Sequence, residues 1–171
     1  LYKLRLTCGR LRPIAPTGSA GDGFAAMMEN TQSMDYRFLQ SPSPREVEQI
    51  YSLYKDTGWW DAGGEQPDVI RGIVSGSHCF LAVFLDGDLI GMGRAISDRA
   101  SDAYIQDVAV QPSFRGRGIG TGIVRRIVDR LHGDGLFWVG LIAERDSHPF
   151  YEHLGFLRME HAAPMLLKGK P

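Results

Sequence analysis

The most specific chemical pattern in this chain is the run Arg115-Gly116-Arg117-Gly118-Ile119-Gly120-Thr121. Glycines in such a turn let backbone N–H groups approach a ligand with no Cβ in the way. Where the turn opens a helix, the positive end of the helix dipole adds to them, and the site suits a phosphate or pyrophosphate. Arg115 and Arg117 bring positive charge, and Thr121 brings a hydroxyl. A Walker loop is excluded because the turn has no lysine at its end. A dinucleotide fingerprint read from Gly116 needs glycine at 121, where threonine stands; read from Gly118 it needs one at 123, where isoleucine stands. The pattern Arg/Gln-x-x-Gly-x-Gly/Ala is met by Arg115, Gly118 and Gly120 without a gap. A tight strand-to-helix connection that binds nothing is the other reading of this turn.

Other residue types offer less. His78, His132, His148, His153 and His161 show no ligand spacing, and His148 and His153 do not share one helix face, so no metal is expected. Cys79 begins an apolar run and reads as core. No Ser-His-Asp arrangement can be argued from spacing. Two cysteines, Cys8 and Cys79, cannot form a disulfide framework, so a reducing, cytoplasmic compartment is expected.

The elements that position the turn follow from periodicity. Residues 35–39 read as a strand. Ser43 can cap the helix opened by Pro44, with Glu46 completing a capping box. Val47, Ile50, Tyr51 and Tyr54 follow at helical spacing, and Gly58 ends that helix. Residues 59–64 form a loop, and a second helix spans about 67–75. Strands 79–85 and 89–96 flank Asp86-Gly87, a tight hairpin signal. A turn at 98–102 leads to strand 104–110. A long helix follows at about 118–131, with Ile119, Ile123, Val124, Ile127, Val128 and Leu131 as its apolar stripe. Residues 137–143 are nearly all apolar, as in a strand covered on both faces. A short helix at about 147–154 ends at Gly155, and the remainder reads as one or two closing strands. The class is α/β of the α+β type, with a largely antiparallel sheet.

Length and composition fit this reading. The chain has 171 residues, is 43% hydrophobic and 23% charged, and carries 19 basic and 20 acidic residues for a net charge of −1. That suits one soluble globular domain. No run approaches the roughly 20 apolar residues needed to span a bilayer. Residues 1–26 lack periodicity, hold Lys3, Arg5, Arg10 and Arg12 against Asp22, and end rich in Gly, Ser and Pro. They read as a flexible leader, either a targeting segment or sequence upstream of a start at Met27, Met28 or Met34. Without them, the domain at 27–171 carries a net charge of −4. An acidic body argues against a nucleic-acid binder.

Three linked pieces resemble the GNAT superfamily of acetyl-CoA-dependent N-acetyltransferases: the strand 104–110, the turn 115–120 with its helix, and Phe150-Tyr151-Glu152-His153-Leu154-Gly155-Phe156. The last is similar to the family's Phe-Tyr-x-x-x-Gly-Phe motif. Together they cover about 104–156. Gly91–Asp98 also resembles a branch of small bacterial and plastid members. The resemblance implies a single GNAT-like domain with a mixed sheet of about seven strands, split between 104–110 and 137–143, and about four helices. Acetyl-CoA is the implied cosubstrate, lying in that split. By position, Val108, Ala109 and Val110 would border the pantetheine arm. The N–H groups of Arg115, Gly116, Arg117, Gly118, Ile119 and Gly120, with Thr121, would hold the pyrophosphate. Phe150 would also contact the cofactor. Glu144 stands where many members have asparagine, which puts its pantetheine contact in question.

The implied activity is acetyl transfer to a primary amine, a small molecule or a lysine side chain, in a ternary complex. A silent acyl-CoA-binding module is the alternative. The resemblance leaves a homodimer open and implies no membrane or nucleic-acid partner. An alkylamine is mostly protonated at pH 7, and removing that proton costs roughly 4–5 kcal/mol. A proton acceptor is therefore needed, direct or through water. By its family position, Tyr151 is the candidate acid facing the CoA sulfur. Strand alternation puts Tyr104, Gln106, Val108 and Val110 on one face and Asp107 on the other. Gln106 can orient a water or the amine. A bulge would redirect Asp107, which reads either as the base or as a structural acceptor, with a water-mediated route beside it. Trp59, Trp60, Asp61 and Glu65 suit a cationic amine, although the tryptophans equally suit core cover. Arg94 and Tyr104 are expected in the same cleft.

Overall fold

The computed structural model describes residues 33–60 and 67–167. The expected leader at 1–26, and Asp61 and Glu65, lie outside the described residues. The elements run β1 (Asp35–Leu39), α1 (Pro44–Asp56), α2 (Pro67–Gly76), β2 (Cys79–Leu85), β3 (Asp88–Ser97), β4 (Asp102–Val110), a 3-10 turn at Pro112–Phe114, α3 (Ile119–Gly133), β5 (Trp138–Leu141) and α4 (His148–Glu152). The five strands form one sheet in the order β1-β2-β3-β4-β5. Neighbours from β1 to β4 are antiparallel, whereas β5 joins β4 in parallel.

Local chemistry starts and stops these elements. Glu46 N–H donates to Ser43 Oγ at 3.3 Å, and Ser43 N–H donates to Glu46 Oε2 at 2.8 Å, so α1 opens with the expected capping box. The β2–β3 hairpin turns through Asp86 and Gly87 at φ 52° and 85°, as the tight two-residue loop requires. At the next turn, the Asp98 carboxylate accepts the N–H groups of Ala100 and Ser101 and the Ser101 hydroxyl, which hold its pKa well below the usual carboxylate range.

Each face of the sheet buries its own apolar layer. On one face, Leu81, Val83, Ala103 and Ile105 pack with Ile119, Ile123, Val124, Ile127 and Leu131 of α3. The apolar stripe of that helix is therefore the buried one. On the other face, Phe80, Ala82, Phe84, Met92 and Ala109 pack with Val47, Ile50, Leu53 and Tyr54 of α1 and with Ile70 and Val74 of α2.

Three expectations are corrected. The sheet has five strands among the described residues, where about seven were expected, and 157–167 form no strand. Within the apolar run 137–143, the strand is only Trp138–Leu141, and Phe137 and Ile142 are 75% and 64% exposed. β5 is the end strand and pairs with β4 only over four positions, from Asp102↔Trp138 to Ile105↔Leu141, so apolar content there does not signal burial on both faces. Strict alternation along β4 also fails. Met92 faces Ala109 and Arg94 faces Gln106, so Asp107 and Val108 together oppose Gly93. This bulge reverses the parity: Val108 and Val110 join Ile105 on the α3 side, away from the face of Tyr104 and Gln106.

Candidate active site

Beyond Ile105 and Leu141 the last parallel pairing ends, and β4 and β5 part. Into that opening runs a cleft of about 1090 Å³. At one end lie Arg115, Gly116, Gly118, Gly120 and Thr121, and at the other Trp59, Tyr104, Gln106 and Asp107; Val108, Ala109, Val110, Glu144, Phe150 and Tyr151 also line it.

The glycine end presents backbone rather than side chains. Gly116 and Gly118 sit at φ 76° and 77°, the left-handed region that costs other residues strain. Gly118 is the N-cap of α3 and has no side chain to satisfy the helix's first N–H groups. Those donors and the helix dipole point at the cleft. A Cβ on Gly120 would stand 3.4 Å from the Phe150 ring, so the turn and α4 approach each other closely here. Arg115 is tied back by Nε to Val110 O at 3.1 Å. Arg117 lies over the Phe114 ring, 5.1 Å from its centroid, outside the lining, and Ile119 is buried with its backbone at the turn.

At the opposite end, the bulge decides where a carboxylate stands. Asp107 adopts φ 54°, an uncommon conformation for a residue with a side chain. Its Oδ2 accepts from Tyr54 Oη at 2.7 Å and from Arg94 Nε. Arg94 Nη2 also donates to Gln106 Oε1 at 2.8 Å. Arg94 thus stands behind the cleft wall rather than in it. Trp59 reaches the cleft, whereas Trp60 stacks on Tyr54, with ring centroids 4.4 Å apart and planes 12° apart. Tyr104 is 42% exposed and meets the edge of Trp138 at 5.3 Å.

Tyr151 projects from α4 between Phe150 and Phe156, edge-to-face with both at 4.9 and 5.9 Å. Burial pushes its phenol pKa up. Glu144 lines the cleft beside Arg145, whose Nη1 donates to Thr57 O at 3.3 Å and links the β5–α4 loop to the end of α1.

Sequence reading missed Asp56, Thr57, Ile142, Arg145 and Ser147, all of which line the cleft, and Tyr54 behind it. No motif marks them, because folding brings them in from loop ends. It also missed a Ser-His-Asp chain: Ser97 Oγ and Asp134 Oδ2 flank the two ring nitrogens of His78 at 2.7 and 2.9 Å, and Arg130 Nε donates to the same Asp134 oxygen at 2.6 Å. None of these four lines the cleft; they tie the end of β3 to the C-terminus of α3. Burial pushes the Cys79 thiol up to about 11, so it is inert. Among the described residues no group of three or more His, Cys, Asp or Glu could hold a metal ion, and no helix is long and apolar enough to cross a membrane.

The site is thus a split between two parallel strands, with a glycine turn lacking a side-chain cap at one end and a half-buried tyrosine lining it. The chain belongs to the acetyltransferase (GNAT) family, whose model matches residues 34–156. It is 40% identical over 81 residues to a chloroplastic GCN5-related N-acetyltransferase 2 of Arabidopsis thaliana, a match covering 47% of this chain and 30% of the relative. It is 38% identical over 69 residues to an uncharacterized N-acetyltransferase, ycf52, of Gracilaria tenuistipitata var. liui, covering 40% of this chain and 38% of the relative. The matches thus span about a third of the length of these curated relatives. Among solved structures, a probable acetyltransferase from Staphylococcus aureus superposes with a TM-score of 0.67 at 22% identity, over 80% of this chain and all of that one, and shows the same fold.

Proposed function

We propose that this chain transfers the acetyl group of acetyl-CoA to a primary amine by direct transfer, with both substrates bound at once. The observation that carries this reading is the single cleft that joins the α3 N-terminus to Tyr151 and to Asp107. The N–H groups at Gly116, Gly118 and Gly120 suit the pyrophosphate, and Val108, Ala109 and Val110 of the parted β4 edge suit the pantetheine amides. Arg117, held over Phe114, contributes field rather than contact.

The acceptor amine enters at Trp59, Tyr104 and Gln106. Asp107 favours a cation there, and Trp59 offers a ring face. Small amines and lysine side chains both meet these demands. Asp107 takes the proton the amine must lose before it attacks, directly or through a water held by Gln106. The N–C bond then forms and the C–S bond breaks, and Tyr151 gives its proton to the departing thiolate. An ordinary phenol near pKa ~10 is a reluctant donor to a thiol near ~8.5. Burial raises Tyr151, and a thiolate developing in the same desolvated spot is raised as well, which offsets that rise. The free, buried Cys79 suits a reducing compartment, cytoplasmic or plastid.

Purified chain incubated with acetyl-CoA and a panel of alkylamines, arylalkylamines, polyamines and lysine peptides tests the reading. Thiol release matched by acetylated amine is expected. Stabilisation by acetyl-CoA without turnover of any acceptor would instead identify a silent acyl-CoA-binding module.

A further inference from the structure

We infer that Tyr54, acting with Arg94, is a positioning residue: it orients the Asp107 carboxylate toward the acceptor amine. The inference rests on the reading of Asp107 as the proton acceptor. At φ 54° and in a bulge, the backbone at 107 does not select one side-chain direction as a regular strand would. Direction is instead set by partners. Tyr54 Oη and Arg94 Nε both donate to Oδ2. That oxygen is taken up by two donors, while Asp107 also lines the cleft, so Oδ1 is the oxygen left to meet the amine proton.

Tyr54 is itself held. It is only 3% exposed, Trp60 stacks on one face, and Trp59 meets it tilted at 5.7 Å. Burial and the neighbouring Asp107 charge push its phenol pKa upward, so it remains a donor throughout the working pH range. Arg94 completes the arrangement by holding Gln106 Oε1 with its other arm, which leaves the Gln106 amide nitrogen as that side chain's remaining donor. The network therefore joins α1, β3 and β4 at the acceptor end of the cleft, and the two adjacent tryptophans divide their work between the site and its backing.

The test is Tyr54→Phe, which keeps the ring and removes one donor, measured beside Asp107→Asn on two kinds of acceptor. One is an alkylamine, protonated at pH 7; the other is an aromatic amine, already neutral. For the alkylamine, Tyr54→Phe is expected to lower kcat about tenfold, with KM for acetyl-CoA unchanged. For the neutral acceptor the loss should shrink below about twofold, because that acceptor needs no proton removed before attack. A purely structural role would reduce both alike, and equal losses, or none, overturn the inference. If Asp107→Asn spares the alkylamine reaction, the base reading fails and takes this inference with it. If Asp107→Asn selectively loses that reaction while Tyr54→Phe does not, the positioning role alone is wrong. Wild-type chain inactive on every acceptor overturns both.

Discussion

Gly118 and Tyr151 do opposite kinds of work at the residue scale. At Gly118 the backbone conformation matters: φ is 77°, and a Cβ there would meet nothing within 4 Å. Gly118→Val therefore strains the turn without a clash, at a cost on the order of 1–3 kcal/mol. Acetyl-CoA affinity measured by calorimetry should fall about tenfold or more, while secondary structure by circular dichroism stays intact. At Tyr151 the side chain matters. Tyr151→Phe keeps the ring packed between Phe150 and Phe156 and removes the proton. Its kcat should drop by roughly 10²-fold, with acetyl-CoA binding preserved. An unchanged turnover number would remove Tyr151 from the mechanism. Both residues were legible in the sequence, because the glycine spacing and the Phe-Tyr motif are local patterns. Tyr54 was legible only as a core position of α1, since its partner is 53 residues away.

Elements explain what the motifs cannot. Gly93, opposite the β4 bulge, lets α3 seat closely on the sheet: a Cβ there would stand 2.6 Å from Ile123 Cγ2 and 3.2 Å from Ile127 Cδ1. Gly93→Ala should destabilise the fold by about 1–3 kcal/mol in urea unfolding, since overpacking of this kind forces α3 outward. A stability equal to wild type would mean that α3 does not seat this closely on β3. Periodicity placed α1, α2, α3 and the strands β1 to β4 well, because each repeats its pattern over several turns or pairs. It misjudged β5. An apolar run there was read as a strand buried on both faces, but the burial of an end strand depends on what lies beside it, and composition carries no such information. Parity along β4 was misjudged for the related reason that one inserted residue, Asp107, reverses every side chain after it.

Across the whole molecule, one cleft gathers residues from α1, β4, the β4–α3 turn, the β5–α4 loop and α4. This is why the acceptor end was hardest to read. Asp56, Thr57 and Arg145 lie on loop ends whose meeting is a product of the fold. The cofactor end was easiest, being one contiguous stretch of chain. The net charge of −4 over 27–171 acquires a local meaning in this arrangement. Asp56, Asp107 and Glu144 line the same cleft as the arginine-flanked glycine turn, and Asp107 stands on the far side of the β4 bulge from that turn, an arrangement suited to an anionic pyrophosphate at the turn and a cationic amine near Asp107. The most direct test of this account is to follow free thiol and acetylated amine together in one reaction of the purified chain with acetyl-CoA and a primary alkylamine. The two products are expected to appear one for one and only when both substrates are present. Acetyl-CoA bound with neither product formed, or thiol released with no acetylated amine, would contradict it.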